Sequence, residues 1–453
     1  MRAFQALQDS FAGPACLSPA LSSFLDFPRT ASVAAILFVL AGLPSAFGIE
    51  PTPPIADSEA SLRIHNEYLE YNPRYDEERA ARITRTHPLL LRDRELEAAG
   101  RPTDGAKQIL WELKALLTQT ADFGLIDRRL SDLELLLANP DGPDGQDPID
   151  GSWGRHYTEW YCKLDATLDQ LGTAYWKSRT PPIPLRFLDR VNSPELLTRY
   201  LSSVSVSDVA RTGVDHLLEF NIALGDLMRL ILRDRPSGYP WDPGLKSCLK
   251  DLIFSRFRNP STGWWGERYV RGGQTVFVDD LSTTFHVVSY LDGKVPDLPR
   301  VIDTTLAVRD LDYPVGWRFK GEYWNHNNMD VVALFKAGWA QASADQRDAM
   351  AGEIAKMLQW CLTQSLQSDG MFKPNSGDGS LEEGTYYGAS FLARIGYFDK
   401  ADRFWTNREF PEAEAVRQRI AGFIIKHLGS GGSGGGYYED ALSECLKVEA
   451  PKG

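Results

Sequence analysis

Apolar residues recurring at helical spacing, segment after segment, constrain this chain more than any other feature. In 107–137 Ile109, Leu110, Leu113, Leu116 and Leu117 fall on one face, the period expected of an amphipathic helix. The same pattern returns in 214–233 (Leu217, Leu218, Phe220, Leu224, Leu227, Leu230 and Ile231) and in 246–257, 281–291, 330–339, 346–366, 388–396 and 412–428. Alternation of period two is scarce, and Gln274–Val278 (QTVFV) is the best short strand candidate. The turn-rich run 139–151 (NPDGPDGQDPIDG) predicts a loop. An all-α fold follows, with short β-ribbons confined to loops.

The loops between these segments share a pattern. Asp150–Gly154 (DGSWG), Thr262–Gly266 (TGWWG), Pro314–Trp317 (PVGW) and Asp369–Phe372 (DGMF) each place an aromatic one or two residues after a glycine. Glycine supplies the sharp turn, and the aromatic can plug the space between neighbouring helix pairs. The uneven spacing excludes a strict solenoid repeat. A series of helical hairpins with such loops at one end resembles the α/α-toroid architecture over residues 58–428. That architecture is shared by toroid polysaccharide lyases, several glycoside hydrolase families and, more distantly, terpene-cyclase-like proteins. The resemblance implies a complete or incomplete ring of hairpins with its site at one mouth. It does not by itself fix an activity.

Residues 31–47 (ASVAAILFVLAGLPSAF) form an uncharged apolar run preceded by Arg29 and followed by small residues. This is the pattern of an exported leader, with cleavage expected before Ile49. Residues 1–28 exceed a standard n-region, which places the start of such a leader downstream of Met1. A single membrane anchor is the competing reading. A proline-rich lead-in (49–57) follows, and a Gly/Ser linker and mobile tail are expected over 429–453. With the leader removed, Cys162, Cys248, Cys361 and Cys445 remain. Their spacing fits no metal knuckle, and buried thiols or one or two disulfides are both open.

Three polar loops carry the candidate chemistry. In the first, Trp264, Trp265 and Arg268 precede Asp279 and Asp280, which open the helix expected at 281–291. Asp280 is placed to cap that helix, and either carboxyl can serve as a general acid or base or bind a sugar hydroxyl. In the second, Trp317 and Arg318 precede Tyr323, Trp324, Asn325, His326, Asn327 and Asn328, with Asp330 entering the next helix. Asn328 or Asp330 can cap that helix. Abstraction of a proton α to a carboxylate needs a group that neutralises the carboxylate and a base. Tyr323, Asn325 and His326 resemble what toroid polysaccharide lyases use for β-elimination. In the third, Glu382 and Glu383 precede Tyr386 and Tyr387. Acids in a first helical turn favour the helix dipole, and this helix start is similar to that of unsaturated glucuronyl hydrolase-like toroids.

The remaining features narrow the function classes. Asp141, Asp144, Asp147 and Asp150 recur every third residue without the closing Glu of an EF-hand, so a calcium site has little support and no cofactor is expected. The sequence contains no HExxH, Walker-A or GxSxG motif. Forty-nine Lys and Arg against 61 Asp and Glu give a net charge of −12, which argues against a nucleic-acid partner. Arg256, Arg258, Arg268 and Arg271 form a modest basic cluster able to meet an anionic sugar. Twelve Trp, 17 Tyr and 21 Phe can stack sugar rings or fill a core. An exported carbohydrate-cleaving enzyme is the leading expectation, favoured as β-elimination of a uronate-containing glycan by Tyr323, Asn325 and His326, with hydrolysis by the carboxylates Asp279, Asp280, Glu382 and Glu383 as the alternative. A non-catalytic glycan-binding or scaffold protein is the second class. A terpene-cyclase-like enzyme is the outsider, lacking a D-x-D-D motif.

Overall fold

Helical periodicity becomes helical backbone in the segments named above wherever their residues are described. The computed structural model describes residues 75–448, apart from 102–105, 107–108, 111, 114–115, 118–121, 139–144, 155, 173–178, 234–237, 374–380 and 429–434. The leader at 31–47, the lead-in at 49–57, and Asp141 and Asp144 therefore lie outside the described residues. The chain is predominantly helical with one small sheet. The helices are α1 (Tyr75–Ala98), α2 (Phe123–Ala138), α3 (Trp160–Gly172), α4 (Pro194–Val204), α5 (Leu217–Leu227) and α6 (Leu245–Ser255). There follow α7 (Leu281–Tyr290), α8 (Leu298–Ala307), α9 (Asn325–Gly338), α10 (Ala344–Trp360), α11 (Leu381–Arg394), α12 (Ala413–Leu428) and α13 (Gly435–Asp440).

Local chemistry starts these helices where the sequence changes character. Ser193 accepts from the Leu196 amide ahead of Pro194, which occupies the first helical position of α4. Ser343 and Gln346 form a reciprocal capping box on α10. Asp280 caps α7, as its position predicts, by accepting from the Thr283 amide. Three helices continue into a wider π turn, at Met228–Leu232 after α5, Cys361–Ser365 after α10 and Ala441–Cys445 after α13.

Packing follows an alternating rule. Among the odd-numbered helices, α3 packs on α5, α5 on α7, α7 on α9, α9 on α11, and α11 on α13. Even-numbered helices lie against them and one another: α4 meets α5 and α6, α8 meets α9 and α10, and α12 meets α13. The odd series is the more deeply enclosed. In α9, Asn325, Asn327, Asn328 and Asp330 are buried together with Val331, Val332, Leu334 and Phe335, so this helix has no solvent face of ordinary width.

The sheet exists to aim one loop. Strand β1 (Val206–Ser207) runs parallel to β2 (Gly266–Arg271), which pairs antiparallel with β3 (Gln274–Asp279). The QTVFV strand expectation is met by β3. Gly272 and Gly273 turn between β2 and β3 at φ 56° and 79°, the left-handed backbone that a two-residue hairpin requires. At the other end Gly266 pairs with Asp279, and a Cβ on Gly266 would stand 2.0 Å from the Val278 carbonyl oxygen. The hairpin thereby delivers Asp279 and Asp280 to the start of α7.

The C-terminal expectation needs correction. Beyond the Gly/Ser stretch the chain is helical again in α13, which packs on α11 and α12. Tyr438 and Leu442 are buried, and Ser390 Oγ lies 2.9 Å from Cys445 Sγ. Residues 435–448 are part of the folded body because their apolar positions have a helix to cover. The four described cysteines are free thiols. No described helix is long and apolar enough to cross a membrane.

Candidate functional site

Asp280 is the starting point because the hairpin fixes its backbone and α7 fixes its side chain. It is 1% exposed, and Asn221 Nδ2 of α5 donates to its Oδ1 at 3.0 Å. Burial pushes its carboxyl up to about 6, against the opposing hydrogen bonds from Thr283 and Asn221. On the neighbouring helix α9, Asp330 is fully buried and neither carboxyl oxygen has a hydrogen-bond partner among the described residues. Burial raises its proton affinity well above the carboxylate range; the positive charge of Arg394 opposes this and the negative charge of Asp280 adds to it. Two interior carboxyls on adjacent helices thus feel one another and favour their protonated forms.

His326 sits one helical turn before Asp330, with its Nε2 3.7 Å from Asp330 Oδ2. Its ring stacks on Tyr387 of α11 at 4.1 Å and 12°, and Trp324 meets it edge-on at 4.8 Å. On α7, His286 stacks on Tyr290, and Gly225 of α5 leaves the room it needs, since a Cβ there would stand 3.0 Å from His286 Nδ1. Burial lowers His326 to about 3, with the charge of His286 adding to the effect. Burial and then Arg229 lower His286 to about 4. Yet 22% of the His326 side chain is still open to water. The ring is partly accessible and yet desolvated, and His286, Tyr313, Tyr387 and Arg394 are half-buried on the same helices and their loops; we call the space these residues share the crevice.

Neither ring is therefore an imidazole poised to titrate near neutrality. A histidine with a depressed folded value must lose its proton on folding below the ordinary value of 6.5, so its contribution to stability falls as pH drops from 6.5 toward 3. We expect the His326 ring protons to hold a constant NMR shift from pH 8 to pH 5. A midpoint near 6.5 would show that the ring is not enclosed.

The third loop joins the same crevice. Glu383 is buried at the start of α11, and its charge acts on Tyr387 together with that of Asp330. Tyr386 packs on Tyr437 of α13 at 5.6 Å. Tyr437 in turn feels Glu383 and, on α3, Asp169 and Asp165. Asp280, His326 and Glu383 are therefore linked around one interior through Asp330 and Tyr387.

Several predicted residues lie elsewhere. Tyr323 has the Arg318 guanidinium 3.7 Å from its ring centre and Trp360 beside it. Asn325 donates to Ser365 Oγ at 2.8 Å, so the three lyase-like side chains do not converge. Trp264, Trp265 and Trp317 are fully buried. The indoles of Trp264 and Trp265 donate to the carbonyls of Val301 and Ile253, so they plug helix junctions and present no face to a sugar. Asn327 holds the Trp317 carbonyl at 3.0 Å, Asn328 is buried within α9, and Asp279 accepts from Asn259 at 3.0 Å. Arg268 lies over Phe277 on the exposed hairpin and Arg318 donates to Arg309 O at 3.1 Å, both outside the crevice. Asp147 and Asp150 accept from amides of their own turn. Among the described residues no group of three His, Cys, Asp or Glu could hold a metal ion.

Asp330 and Arg394 are the residues that sequence reading passed over for the site. Asp330 was assigned to helix capping, although its spacing of four from His326 places both on one helix face. A surface groove lined by Met371, Leu381, Arg419, Phe423 and His427 contains none of the predicted site residues. No known protein family, curated protein or solved structure matches this chain.

Proposed function

We propose that this chain is an exported glycan-cleaving enzyme of α/α-toroid build that hydrolyses glycosidic bonds in the crevice of its odd-numbered helices. The observation that carries the reading is the pair Asp280 and Asp330, two interior carboxyls on adjacent helices, both with raised proton affinity. A general acid for a leaving glycosidic oxygen must hold its proton near the working pH, and burial is the ordinary means of achieving this. Half-buried Tyr313, Tyr387 and Tyr386 offer ring faces of the kind that pack on sugars. The toroid reading is supported by the alternation of the two helix series and by Tyr437 of α13 lying in electrostatic reach of α3. Export rests on the apolar run at 31–47.

Elimination from a uronate is the second reading. It is favoured by the unprotonated His326 ring stacked on Tyr387, which puts an imidazole base beside a phenol. A panel of neutral and uronate polysaccharides separates the two. Hydrolysis releases reducing ends without an unsaturated chromophore, whereas elimination releases both. Absence of new reducing ends from the whole panel would leave a binding protein and defeat both readings.

A further inference from the structure

Arg394 stands out among the interior cations. The fully buried Arg129 has Asp132 at 2.8 Å and Glu112 at 3.0 Å, and Arg229 has Asp226 at 3.7 Å. Arg394, in the last turn of α11, is half-buried and has no hydrogen bond or ion pair with any described residue. Its guanidinium carbon lies 5.6 Å from the centre of the Phe285 ring on α7. A cation in a last turn suits the helix dipole, but that alone does not account for a guanidinium turned across to the neighbouring helix. A ring holds a guanidinium by its face and leaves the N–H edge free, the edge that matches a carboxylate in two parallel hydrogen bonds.

We infer that Arg394 docks an anionic substituent, a uronate carboxylate, on the sugar held beside Asp330 in the crevice. The inference rests on the glycan-cleaving reading and names its substrate class. Arg394 acts electrostatically on Asp330, so the two share one region of the crevice. No hydrogen bond or ion pair joins Arg394 to Asp330 among the described residues, so the N–H edge of the guanidinium is left for a ligand. The basic cluster at Arg256, Arg258, Arg268 and Arg271 does not serve this role, because Arg256 and Arg271 are exposed, Arg268 lies on the hairpin, and Arg258 faces Asp297 at 4.0 Å.

Calorimetric titration of the full chain with a uronate disaccharide and with its methyl ester tests this, because the ester keeps the shape and removes the charge. The acid should bind at least about tenfold more tightly than the ester, the scale of a charge-assisted hydrogen bond. Arg394→Gln should abolish the preference, and Arg394→Lys should retain part of it. Equal affinities for acid and ester in the unaltered protein, no binding of the acid, or a preference that survives in Arg394→Gln would each overturn the inference. The unaltered protein decides even where the variants fail to fold. Cleavage of neutral glycans without an acid preference would remove the Arg394 role and keep hydrolysis. An acid preference without cleavage of any glycan would keep the Arg394 role and remove the enzyme reading.

Discussion

Asp330→Asn and Asp280→Asn should each reduce glycan turnover by about 10²–10⁴-fold while leaving the melting temperature nearly unchanged, the usual scale for loss of a general acid or base. Asparagine keeps the shape of both side chains. At position 330 no hydrogen bond is lost, because neither carboxyl oxygen accepts one from a described residue. At position 280 the amide oxygen can still cap α7, since asparagine is as good a cap as aspartate. The pH profile adds a second readout. Asp280 holds its proton up to about 6, so a rate that depends on its acid form is full below that value and declines above it. The decline should disappear in Asp280→Asn. Unaltered turnover in both variants would remove these carboxyls from the chemistry.

Arg129→Met should lower the free energy of unfolding by about 3–5 kcal/mol, the cost of leaving buried carboxylates without their cation. Arg129 is fully buried on α2, where it donates to Asp132 Oδ2 at 2.8 Å and to the Tyr161 hydroxyl at 3.2 Å, with Glu112 Oε2 3.0 Å from its Nε. Methionine fills part of the volume but returns none of these contacts, so Asp132 is left in the core as an unpaired acid. Replacing both members, Arg129→Met with Asp132→Leu, should recover much of the loss, because an apolar pair carries no desolvation cost. Denaturant midpoints of the single and double variants check this. A single variant within about 0.5 kcal/mol of the parent protein, the range of an ordinary surface change, would show that the network is not what holds α2 to its neighbours.

Helix positions were legible because burial of one face writes a period into the sequence, and β3 was legible because QTVFV alternates. Helix α1 was not, since it contains Pro88 and its 24 residues are mostly polar. Helix α3 was passed over although Leu164, Leu168 and Leu171 keep the period. The site was half legible. Asp280, His326 and Glu383 were found from loop chemistry, and they meet around one crevice. The exposure of Trp264, Trp265 and Trp317 was not readable, because an aromatic after a glycine has the same spelling whether it plugs a junction or faces water. Asp330 and Arg394 escaped for a different reason: their role depends on which helices become neighbours, and α7, α9 and α11 are separated by whole hairpins in the chain.

The position of Tyr437 bears on how the protein is made. This residue, near the end of the described chain, contacts Tyr386 on α11 and feels Asp165 and Asp169 on α3, so α3 and α13 share one environment. Contacts between such distant parts of a chain form late, because the loop between them must close first. During synthesis the middle helices can assemble as they emerge, but this wall of the crevice is finished only once α13 has left the ribosome. Until α13 docks, a nascent chain would therefore carry its acids and its arginine in an open, solvated interior, without their shifted proton affinities.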